Sequence, residues 1–128
     1  MKRLVLTVAI LGALGFGSGP LLTGTRVQAA ASERAVVEFT QTVKLQNVFL
    51  RGEYVVIHDD SKMAQGEPCL SIYRNGEPDN LIVAFHCKPI GRSQVEQFTI
   101  RTSRRAWFDL PEILEIQFAG STTAHQVR

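Results

Sequence analysis

Two cysteines, Cys69 and Cys87, bracket the stretch that most constrains how this chain can fold. The runs from Cys69 to Tyr73 and from Leu81 to Cys87 are rich in β-branched and aromatic residues, and Asn75 to Asn80 between them is a dense cluster of turn residues. The pattern predicts a β-hairpin. A loop symmetric about Pro78 sets Cys69 opposite Cys87, Ser71 opposite Phe85 and Tyr73 opposite Val83. Opposed residues approach to roughly 4.5–5.5 Å between Cα atoms, which is within the reach of a disulfide. Closing a loop of about 19 residues stabilises a fold by about 3 kcal/mol in the chain-entropy account.

A disulfide requires an oxidising compartment, and the N-terminus points to one. Met1-Lys2-Arg3 is a short basic segment, an apolar run follows from Leu4, and Val27 to Ala31 offers small-residue cleavage positions after Ala29 or Ala31. The run to Leu22 is long enough to span a bilayer, but Gly12, Gly15, Gly17, Gly19 and Pro20 interrupt it. A cleaved signal peptide over residues 1–31 is therefore expected rather than a retained transmembrane helix, leaving one domain over residues 32–128, secreted or periplasmic. Removing that segment takes away Lys2, Arg3 and Arg26 and no acid, so the mature chain stands within one charge of neutrality. A basic field that could hold nucleic acid is thereby excluded. Composition, at 45% hydrophobic and 20% charged residues, fits a packed domain and not a disordered one.

The remaining sequence reads as strand after strand. Ala35 to Gln41 alternates, Val43 to Leu50 begins with alternation and ends apolar, and Arg51-Gly52-Glu53 marks a turn into Tyr54 to His58. Lys62 to Gly66 is a loop or a single helical turn, Gln97 to Thr102 a short strand, and Ser103 to Phe108 one helical turn capped by Ser103. Ile113 to Ala119 alternates as a half-buried strand, and the polar tail from Ser121 is expected to fray. The expectation is all-β: a small antiparallel sandwich or barrel of about six or seven short strands with a hairpin disulfide.

Gly52 to His58, Phe85-His86-Cys87, and Gln117 to Gly120 with His125 together resemble a group of short exported bacterial proteins with no assigned activity. The resemblance implies export and carries no site residue.

Two constellations could carry function. The first is histidine-based: His58 with Asp60, His86 beside Cys87, and His125, a donor set suited to zinc or copper. No two of these histidines stand at H-x-H or H-x-x-x-H spacing. On a strand, His86 and Cys87 point to opposite faces. The competing expectation is that His58 ends a strand at the sheet rim and His125 lies in the tail. Ser61 or Ser71 with His58 and Asp60 could imitate a hydrolase triad, but no G-x-S-x-G elbow is present. The second is Arg101, Arg104 and Arg105 with Trp107, which could grip a protein, glycan or lipid headgroup in the cell envelope. Against that, Trp107 and Phe108 are expected to insert into the core while the arginines form a solvated turn. The sequence thus favours an exported, non-enzymatic binding or structural accessory domain without a cofactor, with a small metal-binding protein as the alternative.

Overall fold

The computed structural model describes residues 32–127; the expected signal peptide and its cleavage positions lie outside them. Eight strands follow one another: β1 (Ser32–Leu45), β2 (Val48–Asp59), β3 (Leu70–Arg74), β4 (Leu81–Phe85), β5 (Cys87–Gly91), β6 (Thr99–Ser103), β7 (Glu112–Gln117) and β8 (Thr123–Val127). A short helix, α1 (Asp60–Ala64), is the one helix among the described residues. The strands form one mixed sheet in the order β4-β3-β2-β1-β7-β8-β5, with β6 added to β7. The terminal strands of that path, β4 and β5, are consecutive in the chain and separated by His86 alone. The sheet must therefore curl back on itself, and it forms a nearly closed barrel. No helix among the described residues is long and apolar enough to cross a membrane.

The β1–β2 hairpin sets the shape. Residues Ser32 to Phe39 pair regularly with Asp59 to Gly52, after which Thr40, Gln41 and Thr42 lie against Arg51 alone before pairing resumes at Val43↔Leu50. Such a bulge bends a hairpin and increases its twist. Gly52 stands beside it with φ of 102°, a backbone conformation that side chains strongly disfavour. The Tyr54 hydroxyl satisfies both backbone groups of Arg51, accepting from its N–H at 3.1 Å and donating to its carbonyl at 2.9 Å. The turn expected at Arg51-Gly52-Glu53 is an unbroken part of β2 that lies opposite the bulge in β1. The chain reverses instead at Gln46-Asn47, where Gln46 takes φ of 53°. Bending carries both halves of β1 onto the β7–β8 ribbon: Lys44 bridges Glu112 in parallel pairing, and Glu33 approaches His125 of β8.

Val43, Leu45, Leu50, Tyr54, Val56, Leu70, Ile72, Phe85, Ile113, Ile116 and Phe118 fill the interior. The expected hairpin is β3–β4, shifted by one residue: Ser71 faces Ala84 and Ile72 faces Val83. Its loop is not symmetric about Pro78, because the register slips again between Ile72 and Tyr73. The chain then breaks strand at His86 and enters β5, which pairs with β8 rather than β3. Pro89, lacking an N–H, is tolerated because β5 is an edge strand. Cys69 and Cys87 are nevertheless bonded at the open end of that hairpin, with Cα atoms 6.5 Å apart. Their bond ties the β3–β4 edge to the β5–β8 edge.

The segment from Ser121 does not fray. Thr123–Val127 is β8, an inner strand between β7 and β5, with Ala124 and His125 buried. Residues Arg104 to Leu110 are an irregular loop with a turn at Trp107-Phe108, not a helical turn.

Candidate metal centre

Alternation along β2 turns Tyr54, Val56 and His58 to the interior, so the last of them delivers an imidazole into the barrel at its rim. Glu33 is the cross-strand partner of His58 on β1, and Leu70 is its partner on β3. β8 supplies His125, opposite Ile116 on one side and Pro89 on the other. The two imidazoles stack with centroids 3.8 Å apart and planes 29° apart, and Phe118 packs against both at 6.1–6.5 Å. At 0% and 2% exposure they are removed from water.

Two carboxylates converge on these rings. Glu33 Oε1 stands 3.7 Å from His58 Nδ1 and 3.5 Å from His125 Nε2, and Asp60 Oδ1 stands 3.4 Å from His58 Nδ1. Asp60 is held there by its neighbour. The Asp59 side chain caps α1, accepting from the Ser61 N–H at 2.9 Å, the Ser61 hydroxyl at 2.6 Å and the Lys62 N–H at 3.3 Å. Ser61 therefore gives its hydroxyl to Asp59, not to His58, and Ser71, paired with Ile57, lies on the opposite face of the sheet from His58, so neither serine forms the triad.

None of the carboxylate–imidazole approaches is a hydrogen bond: both nitrogens of His58 and Nε2 of His125 are buried without a hydrogen-bond partner. Each such group costs about 1–3 kcal/mol when nothing else satisfies it. The same spacings have a different meaning around a cation. Ligand atoms about 2.0–2.1 Å from a tetrahedral metal lie about 3.3–3.5 Å from one another, and the carboxylate–imidazole distances here are 3.4–3.7 Å.

Electrostatics point the same way. Burial holds the His58 imidazole below its ordinary value, with His125 adding to the effect and Asp60 and Glu33 opposing it. Burial likewise lowers His125. Both rings are thus neutral at pH 7, the form that binds metal, and their contacts with Glu33 and Asp60 are not ion pairs. Desolvation raises Glu33, against the pull of His58. Two neutral imidazoles with two carboxylates would carry two negative charges, which one divalent cation neutralises.

The disulfide adjoins this site. The Asp59 N–H donates to the Cys69 carbonyl at 3.0 Å, which sets Cys69 beside His58, and Cys87 Sγ lies 3.7 Å from His125 Nδ1.

Of the residues the sequence nominates as ligands, His58 and His125 stack on each other, Asp60 reaches His58 at 3.4 Å, and His86 does not join them. It is exposed at the break between β4 and β5. Glu33 was missed; only the β1–β2 register, which sets it directly opposite His58, reveals it.

The second constellation separates. Arg101 lies on β6 and, with Arg92, clasps the buried carboxylate of Glu115. Arg92 makes two bonds of 3.0 and 2.7 Å, and Arg101 one of 2.9 Å. Arg104 donates to the Trp107 carbonyl at 3.2 Å, and Arg105 is exposed nearby. Trp107 and Phe108 do not enter the core: they are 86% and 71% exposed and pack edge to face on each other.

Comparison of the chain with protein-family models, curated proteins and solved structures finds no match.

Proposed function

We propose that the protein is a small, non-enzymatic metal-binding domain that holds one divalent cation, zinc or copper, with Glu33, His58 and His125, and with Asp60 completing the set. The observation that carries this reading is the convergence of two unpartnered, buried imidazole nitrogens, His58 Nδ1 and His125 Nε2, on the Glu33 carboxylate, with Asp60 against the first of them, at distances close to the edge of a metal tetrahedron. Imidazole with carboxylate suits both ions. The Cys69–Cys87 bond supports work outside the cytoplasm, where thiols pair.

The test is titration of the purified, unreduced protein with zinc and with copper(II) after chelator treatment, alongside elemental analysis of the protein as isolated. One equivalent is expected to bind. Glu33→Gln keeps the shape of a half-buried side chain and is expected to weaken binding at least tenfold without lowering the melting temperature. Binding unchanged in both Glu33→Gln and His125→Gln, or no stoichiometric binding at all, sinks the reading.

A second reading has its own observation, the two cations Arg104 and Arg105 beside the solvent-facing Trp107 and Phe108. An exposed loop with that chemistry fits an anionic lipid surface, into whose interface aromatic rings insert while arginines meet headgroups. Co-sedimentation with anionic vesicles, abolished in neutral ones and in the Trp107→Ala/Phe108→Ala variant, is the expected outcome. Equal recovery with both vesicle types refutes it.

A further inference from the structure

Two sets of metal-ligating side chains overlap at one residue. Glu33, His58 and His125 form one; His58, Cys69 and Cys87 form the other, and within each set the ligand atoms lie within 4.8 Å of one another. The second is closed for as long as its sulfurs are bonded to each other. Its neighbourhood is otherwise a ligand site: all three residues are buried, and Cys87 Sγ also faces His125 Nδ1 at 3.7 Å.

We propose that the centre is redox-gated. Opening the Cys69–Cys87 bond turns an imidazole–carboxylate site into a thiolate–imidazole site built on Cys69, Cys87 and His58, with His125 as the fourth ligand. This deepens the metal-binding reading above and rests on it for the oxidised state. The two-electron step balances with a dithiol as donor. A donor thiolate attacks one sulfur, the mixed disulfide resolves to the donor's own disulfide, and Cys69 and Cys87 emerge as thiols. Zinc then displaces the two thiol protons to solvent as the thiolates bind it. Oxidation runs the sequence backwards and removes both sulfurs from the cation.

The backbone is already placed for both states. Cys69 is anchored to β2 through the Asp59 N–H, and Cys87 is paired with Val127 in the β5–β8 ladder. Their Cα atoms, 6.5 Å apart, need not move far for two sulfurs to take up a tetrahedral edge of about 3.8 Å around a zinc ion with bonds of about 2.3 Å. Soft thiolates in place of hard carboxylates favour zinc, and copper(I) more strongly still.

The experiment compares the purified protein with and without a phosphine reductant, which itself offers zinc no thiol. Zinc affinity is read by competition with a chromogenic chelator, and cobalt(II) replaces zinc to report sulfur ligation. Reduction is expected to tighten zinc binding at least tenfold and to produce a thiolate-to-cobalt charge-transfer band absent from the oxidised protein. By linkage, saturating zinc then raises the reduction potential of the disulfide by about 30 mV for each tenfold ratio of affinities. A Cys69→Ser/Cys87→Ser variant should lose all response to reductant, in zinc affinity and in the cobalt band alike. Equal affinity in the two states with no charge-transfer band overturns the gating and leaves the imidazole–carboxylate site standing. Absence of binding in the oxidised protein alone overturns that site, and the cobalt band then judges the sulfur set by itself. Unfolding on reduction in the presence of zinc also overturns the proposal.

Discussion

The two ends of β7 depart from the ordinary distribution of polar and apolar groups in opposite senses. Where the strand ends, beside Phe118, imidazole nitrogens with no hydrogen-bond partner are sealed away from water. Where it begins, past Glu112, the loop holds Trp107 and Phe108 out in water. Neither arrangement helps the domain to fold. Buried orphan nitrogens cost free energy, and exposed aromatic surface gains none. Between them lies a stretch of conventional construction, where Ile113 and Ile116 are buried and Glu115 is enclosed but clasped by Arg92 and Arg101. The contrast teaches that departures at the ends are local, and that each invites a ligand of opposite character: a cation at one end, an amphipathic surface at the other.

The largest expected effect tests how far the histidine end depends on its covalent staple. Replacing both cysteines by serine removes the constraint on a loop of about 19 residues and is expected to destabilise the domain by about 3 kcal/mol. Urea denaturation of the variant and the parent measures this. A loss of that size with zinc binding that reductant no longer alters separates the mechanical part of the disulfide from the redox part.

Next comes the cost of the orphan nitrogens themselves. In chelator-treated protein, His58→Leu exchanges a buried imidazole for an apolar group of similar volume and is expected to stabilise the fold by about 1 kcal/mol. Zinc should reverse the order, because only the parent gains from ligand binding in proportion to ln(1 + [L]/Kd). A variant that is less stable than the parent in chelator, and equally stabilised by zinc, contradicts the account of the site.

Acid sharpens the same comparison. His58 and His125 are held below their ordinary value of 6.5, so the unfolded chain takes up protons there before the folded one does. Their contribution to stability is full above that pH and is lost as pH falls through it. Glu33, raised by desolvation, works in the opposite sense above its ordinary value of 4.5 and offsets part of the loss. Glu115, lowered chiefly by its bonds to Arg92, contributes a second decline confined to the carboxylate range below 4.5. Stability in urea followed against pH should therefore fall in two stages in chelator. Zinc should deepen the first stage, because a bound cation keeps the folded-state imidazoles from taking up protons that the unfolded chain still takes up, and Arg92→Gln should flatten the second. A single acid transition that neither treatment alters contradicts this assignment.

What the sequence made legible follows from how local each signal is. The β-rich character, the β3–β4 hairpin and the pairing of Cys69 with Cys87 rest on turn residues and alternation within one short stretch, and they survive a one-residue shift of register. The reversal at Gln46-Asn47 was hidden because the glycine expected to mark the turn, Gly52, lies inside β2 opposite the bulge instead. β8 was hidden because Thr123-Ala124-His125-Gln126-Val127 has little apolar surface of its own; β7 and β5 on either side give it its place. The site suffered most. His58 and His125 are 67 positions apart in sequence, and Glu33 joins them only through pairing of the longest hairpin in the fold. Residue chemistry nominated the imidazoles, but tertiary topology alone could reject His86 and admit Glu33.

The smallest expected effect on stability falls at the other end of β7. Trp107 and Phe108 pack on each other and contribute little to the core, so the Trp107→Ala/Phe108→Ala variant should unfold within about 0.5 kcal/mol of the parent. A core tryptophan or phenylalanine truncated in the same way costs about 3–5 kcal/mol. The near-zero value is informative because the two rings are so large. If stability is untouched and adhesion to anionic vesicles disappears, these rings serve contact and not folding. A loss of several kcal/mol would mean instead that the loop folds down onto the barrel in solution, and the two ends of β7 would no longer be opposites.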